Sequence, residues 1–164
     1  MLGADQCSKI DAASFCGGYI SKFQLDSVRN KKSRDDLINL LLNFNLSSGV
    51  TIFLFASPEA LMLECWNDMV LTLISRNILR LLCIDEVHLF VEFACTFRPD
   101  FCKLKGTIFK EVLASTLDGV SLKIPVLCMT ASFTEKHLTL FQTLSGFQIF
   151  NKNTFWCGPS GISR

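Results

Sequence analysis

Short apolar runs alternate with longer segments of helical spacing along much of this chain, and that alternation constrains the fold more than any other feature. The runs TIFLFA, LLCI and PVLCMT occupy residues 51–56, 81–84 and 125–130. Each is bounded by turn-forming or charged residues, which is typical of strands that are buried on both faces. The sequence therefore predicts three strands of this kind.

Four segments with apolar residues at helical spacing accompany these strands. They lie at residues 35–44, 58–74, 101–117 and 134–144. Ser57 suits the N-cap of the second segment, with Pro58 at its first helical position, and Thr134 precedes the last with Glu135 in its first turn. The order β-α-β-α-β-α predicts the α/β fold class, with a parallel sheet, flanking helices and right-handed crossovers.

Composition limits the size of the fold and the kind of partner. The 164 residues suit one domain with one core. With 49% hydrophobic and 19% charged residues, the chain is more apolar than an ordinary soluble domain. Either the core is unusually large or some apolar surface meets a partner. The net charge of +1 gives no global basic field, so binding to nucleic acid would need a local patch.

The cysteines and the apolar windows exclude several other classes of protein. The eight cysteines are scattered, without a CxxC pair or the Cys/His spacing of zinc sites. They are expected to be reduced structural thiols in an intracellular protein, because no basic segment followed by an apolar run begins the chain. The most apolar windows contain Pro, Glu or Arg and fall short of the roughly 20 clean residues of a membrane helix.

Two stretches show little periodicity. Residues 17–34 carry a basic cluster and are expected to form a solvated loop leading into a helix, with a phosphate contact as the alternative. The cluster consists of Arg29, Lys31, Lys32 and Arg34. Residues 151–164 contain two glycines and a proline and are expected to form an irregular tail.

Two adjacent carboxylates, Asp85 and Glu86, follow the middle predicted strand, and His88 lies two positions beyond. Burying either carboxylate unpaired would be costly, so the pair should face water, a cation or a ligand. A strand-end pair suits hydrolysis of a magnesium nucleotide, with one carboxylate orienting hydrated Mg²⁺ and the other accepting a proton from water. The alternative is structural, because acidic pairs are also common at helix starts.

Neighbouring stretches add a family resemblance. LLCIDEVH (81–88) resembles motif II of the DEAD/DEAH-box helicases, and CMTASFT (128–134) resembles motif III. FASPEAL (55–61) is similar to the preceding motif, which contacts the nucleic-acid backbone in that superfamily. FVEFACTFRPDF (90–101) resembles the aromatic-rich loop of RecQ-type DNA helicases, and LGADQ (2–6) resembles their motif Ia. The order of these stretches fits the back half of the first RecA-like lobe.

The resemblance implies a RecA-like, P-loop NTPase fold that is truncated at its N-terminal side. Residues 1–150 would then be a partial helicase ATP-binding domain, from motif Ia to motif III. The function implied is that of a fragment of a RecQ-like, ATP-dependent 3′–5′ DNA helicase. ATP and Mg²⁺ would be its cofactors, single-stranded or forked DNA its substrate, and an intracellular, nuclear site its location.

Residue roles follow from the resemblance only at matching positions. Asp85 would hold Mg²⁺ through water, and Glu86 would activate the attacking water. His88, with Thr130 and Ser132, would couple the nucleotide to DNA. The expected DNA contacts, from motif Ia to the aromatic loop, are Asp5, Gln6, Ser57, Pro58, Glu59, Phe93, Phe97 and Arg98. For each Phe the alternative is core packing, since the chain has fifteen.

Departures from the family pattern divide the expected function into two classes. Val87 replaces a small Ala in motif II, and residues 92–96 replace Gln-Trp-Gly-His-Asp in the loop, which weakens the expected coupling of DNA binding to hydrolysis. No GxxxxGK[ST] sequence occurs in the chain, so these residues alone are expected to be inactive as an ATPase. The alternative is a non-catalytic remnant that binds nucleic acid or protein. An exposed apolar edge would then meet the rest of a helicase core or another protein.

Overall fold

The computed structural model describes residues 19–44, 49–93, 103–115, 124–130 and 134–148. The strands in these ranges are β1 (Tyr19–Gln24), β2 (Val50–Phe55), β3 (Leu82–Ile84) and β4 (Val126–Cys128). The α-helices are α1 (Lys31–Leu42), α2 (Pro58–Leu61), α3 (Glu64–Ser75), α4 (Val87–Phe93), α5 (Lys110–Ser115) and α6 (Glu135–Ser145). A 3₁₀ helix (Leu25–Ser27) follows β1, and a π-helix (Lys105–Phe109) precedes α5.

The strands form two parallel pairs. β1 pairs with β2, from Tyr19 opposite Val50 onward, and β3 pairs with β4, from Leu82 opposite Val126 onward. Parallel pairing confirms the α/β class, and the arrangement is compatible with part of a RecA-like fold. In the described part of the chain the two pairs are separate sheets, whereas the sequence predicted one sheet.

The prediction of a loop at residues 17–34 was wrong over most of that stretch. β1 lies within it and exists because its backbone pairs with β2, which local periodicity does not reveal. Helix α1 begins at Lys31, four residues before the predicted start. The Asn30 side chain accepts a hydrogen bond from the Ser33 amide at 3.0 Å and so caps the helix there.

The predicted helix at residues 58–74 is divided into α2 and α3. Leu63 adopts an extended conformation between them, with φ −68° and ψ 127°. The side-chain amide of Asn67 donates to the Leu61 carbonyl oxygen at 3.1 Å, which satisfies a backbone acceptor that the break exposes. The divided segment still presents one apolar face to the core.

Helix α3 and a cluster of aromatic rings hold the core. Five residues of α3 are buried at i, i+3, i+4 spacing, namely Trp66, Met69, Val70, Leu73 and Ile74. Helix α4 packs against α6, and both reach the aromatic cluster of Phe90, Phe109, Phe141 and Phe147. Residues 90–93, interpreted from the sequence as the start of a loop, belong to α4, and Phe90 is 0% exposed.

The described residues cover one face of the β3–β4 pair and leave the other face exposed. Ile84 is buried, whereas Leu81, Cys83, Leu127 and Met129 are exposed. Cys83 lies opposite Leu127 in the register, so these two side chains share a face of the pair. The prediction that these strands are buried on both faces is therefore wrong for the described part of the chain. Separately, none of the described helices combines the length and the apolar character needed to cross a bilayer.

Candidate functional site

The carboxyl ends of β3 and β4 are joined by backbone hydrogen bonds that continue past both strands. The Met129 amide donates to the Ile84 carbonyl oxygen at 2.9 Å, and the Val87 amide donates to the Met129 carbonyl oxygen at 3.0 Å. Asp85 and Glu86 lie between those two bonds, directly beside the segment that leads to Thr130. α/β proteins bind ligands at the carboxyl ends of their parallel strands. The predicted carboxylates therefore lie at the edge of the sheet where a ligand would bind.

Glu86 carries the turn from β3 into α4. Its φ is +48°, in the left-handed region, which costs a residue with a side chain roughly 1 kcal/mol or more. Its amide donates to Asp85 Oδ1 at 2.9 Å, and its carbonyl oxygen accepts from the Leu89 amide at 2.8 Å. These bonds hold the sharp turn, which leaves Asp85 exposed and Glu86 half-buried at the start of the helix.

His88 lies between the two strand ends and contacts both. Its Nδ1 is 2.8 Å from Thr130 Oγ1 and 3.2 Å from Glu86 Oε2. Glu86 Oε2 is shielded from solvent and completes no hydrogen bond with the described residues. An unprotonated Nδ1 would direct its lone pair at this carboxylate, so the contact favours a proton on Nδ1. His88, Glu86 and Thr130 thus form a polar contact between elements 42 residues apart.

The carboxylates at this edge would supply only a small part of the ligands of a magnesium ion. Among the described residues, no group of three or more His, Cys, Asp or Glu side chains is placed to hold a metal. Mg²⁺ in nucleotide sites typically keeps several waters and takes one or two carboxylates together with substrate phosphates. The exposed carboxylate of Asp85 is suited to such a contribution, and the half-buried Glu86 beside it to accepting a proton.

Two thiols lie on the strands that lead to this edge. Although Cys83 is exposed, partial desolvation by its neighbours raises the pKa of its thiol, and the Asp85 carboxylate adds to the increase. Burial also raises the pKa of Cys128 to about 11, with a smaller contribution from Cys83. Both thiols therefore stay neutral near pH 7, and neither has the low pKa of a reactive cysteine.

The second predicted contact region lies at the carboxyl ends of β1 and β2. The Ser57 amide donates to Asp26 Oδ2 at 2.9 Å, and the Ser57 hydroxyl donates to Asp26 Oδ1. The same hydroxyl oxygen accepts from the Ala60 amide at 3.1 Å and caps α2. Ser57 is an expected DNA contact, but its hydroxyl already has a partner for its proton.

Comparison with known proteins finds similarity over about half of the chain. No family model matches the chain. Over 83 residues the chain is 30% identical to ATP-dependent DNA helicase Q5 of Mus musculus and to that of Rattus norvegicus. The matched stretch is 51% of this chain and 8% of either relative, so the chain spans a small part of their length. These similarities support a relationship to RecQ-type DNA helicases.

Some of the other predicted site residues lie within the described structure, and the rest lie outside it. Pro58 and Glu59 begin α2 beside Ser57, with Glu59 exposed, and Phe93 is the last residue of α4. The remaining predicted residues, Asp5, Gln6, Phe97, Arg98 and Ser132, lie outside the described residues.

Sequence reasoning missed Asp26, the carboxylate that binds Ser57. It lies in the 3₁₀ helix after β1, in a stretch that the sequence analysis interpreted as a loop. A short acidic side chain directly after a strand was the available signal. That signal becomes specific only when β1 is known to pair with β2, because the pairing brings their carboxyl ends together.

The contact between the strand ends predicts a measurable loss of stability in Thr130→Val. The substitution keeps the side-chain shape and removes the hydroxyl that lies 2.8 Å from His88 Nδ1. We expect the free energy of unfolding in urea to fall by about 1 kcal/mol. Thr51→Val is the matched control, because Thr51 is an exposed residue of β2 with no side-chain contact to His88. Equal losses in the two variants would contradict a specific role for the His88 contact.

Proposed function

We propose that this chain is part of the nucleotide-hydrolysing lobe of a RecQ-like, ATP-dependent 3′–5′ DNA helicase. The observation that carries the proposal is the contact of His88 with Thr130, made where the chain resembles helicase motifs II and III. The 30% identity to helicase Q5 over 83 residues also supports it. In such a lobe the two strand ends must respond together to nucleotide and DNA, and a side-chain contact between them suits that task.

The proposed roles follow the positions of the side chains. Asp85 would contribute its exposed carboxylate to hydrated Mg²⁺, which supplies positive charge at the nucleotide phosphates. Glu86 would accept the proton of the attacking water, because its half-buried carboxylate lies beside Asp85 at the carboxyl end of β3. His88, with Thr130 and Ser132, would link this site to the bound DNA.

The proposed substrate strand lies along the carboxyl ends of both strand pairs. Ser57, Pro58 and Glu59 would border it at β2, and Asp5, Gln6, Phe93, Phe97 and Arg98 would add further contacts. For Ser57 the proposal requires a rearrangement, because a phosphate would have to replace Asp26 as the acceptor of the hydroxyl proton. A nuclear location would follow from the same proposed function.

The exposed apolar face of the β3–β4 pair favours a second candidate, a non-catalytic interaction module. Leu127 and Met129 are 46% and 41% exposed, although Leu127 lies within β4 and Met129 directly follows it, in a run that the sequence predicted to be buried. Large apolar side chains grouped on one strand are typical of surfaces that meet a partner. That partner would be either the remainder of a helicase core or another protein.

An ATP hydrolysis assay with single-stranded DNA examines the isolated chain. We expect no turnover above background, since a P-loop enzyme needs the GxxxxGK[ST] sequence to hold the β- and γ-phosphates. DNA-stimulated turnover that is lost in Glu86→Gln and kept in Glu111→Gln would contradict this expectation. Glu111 is a suitable control because it is an exposed carboxylate on α5, away from the strand ends.

The nucleotide sequence upstream of Met1 separates the two candidate functions. An in-frame GxxxxGK[ST] motif is expected for the helicase. The longer product should then hydrolyse ATP, and Glu86→Gln should reduce its kcat by on the order of 100-fold or more. In-frame stop codons next to a promoter would contradict the helicase proposal and support the interaction module.

A further inference from the structure

Four basic side chains lie together at the start of α1. Arg29, Lys31 and Lys32 are exposed, and Arg34 is half-buried. We call these four residues the basic patch. No carboxylate in the described part of the chain forms an ion pair with any of them. As far as the described residues are concerned, the charges of the patch are therefore available to a ligand.

The patch forms no ion pairs with the residues that the structure describes, even though acidic residues lie close to it on the same helix. Asp35 and Asp36 follow Lys31 and Lys32 at i+4, the spacing at which helical side chains can pair, yet no such pair forms. Arg34 Nε is shielded from solvent and has no hydrogen-bond partner among the described residues. The patch is thus not a set of salt bridges that stabilise the helix.

The lysines of the patch are also unfavourable for the stability of α1. The first turn of α1 contains Lys31 and Lys32 and no acidic residue. Positive charge at a helix N-terminus is unfavourable by about 0.3 to 1 kcal/mol for each residue at low salt. Folding alone therefore disfavours these lysines at these positions, whereas binding of a polyanion would reverse the sign of their contribution.

The position of the patch connects it to the predicted DNA contacts. β1 and β2 are parallel and end level with each other, Gln24 opposite Phe55. The patch begins five residues after β1, and Ser57 lies two residues after β2. Asp26, between β1 and the patch, accepts two hydrogen bonds from Ser57. The patch and Ser57 therefore lie at the same edge of this strand pair, where α/β proteins bind ligands.

We propose that the basic patch binds the phosphate backbone of single-stranded DNA. The proposal rests on the DNA contact proposed above and extends it from Ser57 to the start of α1. Lys31 and Lys32 each contact one phosphate as exposed point charges, and Arg29 and Arg34 flank them. Contacts of this kind add affinity without base specificity.

Fluorescence anisotropy with a labelled oligothymidine of roughly 20 nucleotides tests the patch. We expect Lys31→Gln/Lys32→Gln to weaken binding about tenfold near 0.1 M salt and to reduce the slope of log K against log salt by about 1.4, or 0.7 per contact. Arg80→Gln/Lys110→Gln is the matched control, because it removes the same charge from exposed positions outside the patch. The control should keep both the affinity and the slope.

Thermal unfolding separates loss of binding from loss of folding. Removing positive charge from the first turn of α1 should keep or slightly raise the melting temperature. Weaker binding by a variant at least as stable as the wild type therefore supports direct contact. Two results would overturn the proposal: no binding of oligothymidine by the wild-type chain at low salt, or equal affinity and slope in the patch and control variants.

The same assays distinguish this proposal from the helicase proposal. If the patch variant binds normally while an in-frame GxxxxGK[ST] is found upstream, the patch fails and the helicase proposal stands. If stop codons are found upstream while the patch binds oligothymidine as expected, the helicase proposal fails and the patch stands. Binding to phosphatidylserine vesicles without binding to oligothymidine would overturn the choice of DNA as the partner.

Discussion

Phe141→Ala is expected to lower the free energy of unfolding by about 3 to 5 kcal/mol, the range typical of large cavities in a packed core. Phe141 is 0% exposed. Its ring meets Phe90 edge-on at a centroid distance of 5.4 Å and stacks on Phe147 at 6.4 Å. The substitution removes a buried ring from the contact between α4 and α6. The folded chain then loses the free energy gained by burying the ring and also bears the cost of the cavity that is left.

Urea denaturation of Phe141→Ala beside Leu140→Ala measures this effect. Leu140 precedes Phe141 in α6 and is 40% exposed, so its truncation changes the same helix while leaving the core packed. We expect the control to lose about 1 kcal/mol or less. Similar losses in the two variants would show that α6 does not present residue 141 to the core, and would contradict the orientation of the helix.

The stretches that sequence predicted well are those whose pattern is local. Residues 51–56 form a continuous apolar run, and β2 occupies Val50–Phe55. Ser57 was expected to cap a helix and Thr134 to precede one, and each side chain accepts a hydrogen bond from an amide three residues later. In these places side-chain chemistry within a few residues decides the backbone.

The stretches that sequence predicted poorly depend on distant partners. β1 contains Ser21, Lys22 and Gln24 and lacks a clear alternation, so only its pairing with β2 identifies it. The break between α2 and α3 falls at Leu63, where no Pro or Gly signals an end. Helix α4 was missed because its apolar residues were attributed to a loop on the strength of a family resemblance.

For the site, sequence predicted that His88 would act together with Thr130, and missed the backbone turn and the Glu86 contact beside their hydrogen bond. Asp85 follows one predicted parallel strand and Thr130 ends another, and the carboxyl ends of such strands meet at one edge of a sheet, so their proximity was expected. The left-handed turn at Glu86 and the contact of its Oε2 with His88 Nδ1 depend on atomic positions. The Asp26 contact with Ser57 was out of reach because it requires the register of β1.

The raised pKa of Cys128 predicts a loss of stability at alkaline pH. Burial holds this thiol in its neutral form, so its pKa increases from 9.0 to about 11 on folding. Below pH 9 the thiol is protonated in both the folded and the unfolded chain, and its contribution to stability is fully present. Between pH 9 and pH 11 the unfolded chain loses the proton first, so stability falls with increasing pH, by about 2 kcal/mol in total.

Cys128→Ser isolates this contribution, because a hydroxyl of similar shape does not titrate in that range. Urea denaturation of both proteins from pH 8 to pH 11 gives two curves, and the wild-type curve should fall more steeply above pH 9. Parallel curves would contradict burial of the thiol. Because Cys128 lies two residues before Thr130, its ionisation would disturb the strand end that holds the contact with His88. In the folded chain the thiol ionises only around pH 11, so this hydrogen bond should weaken only at the alkaline end of the range.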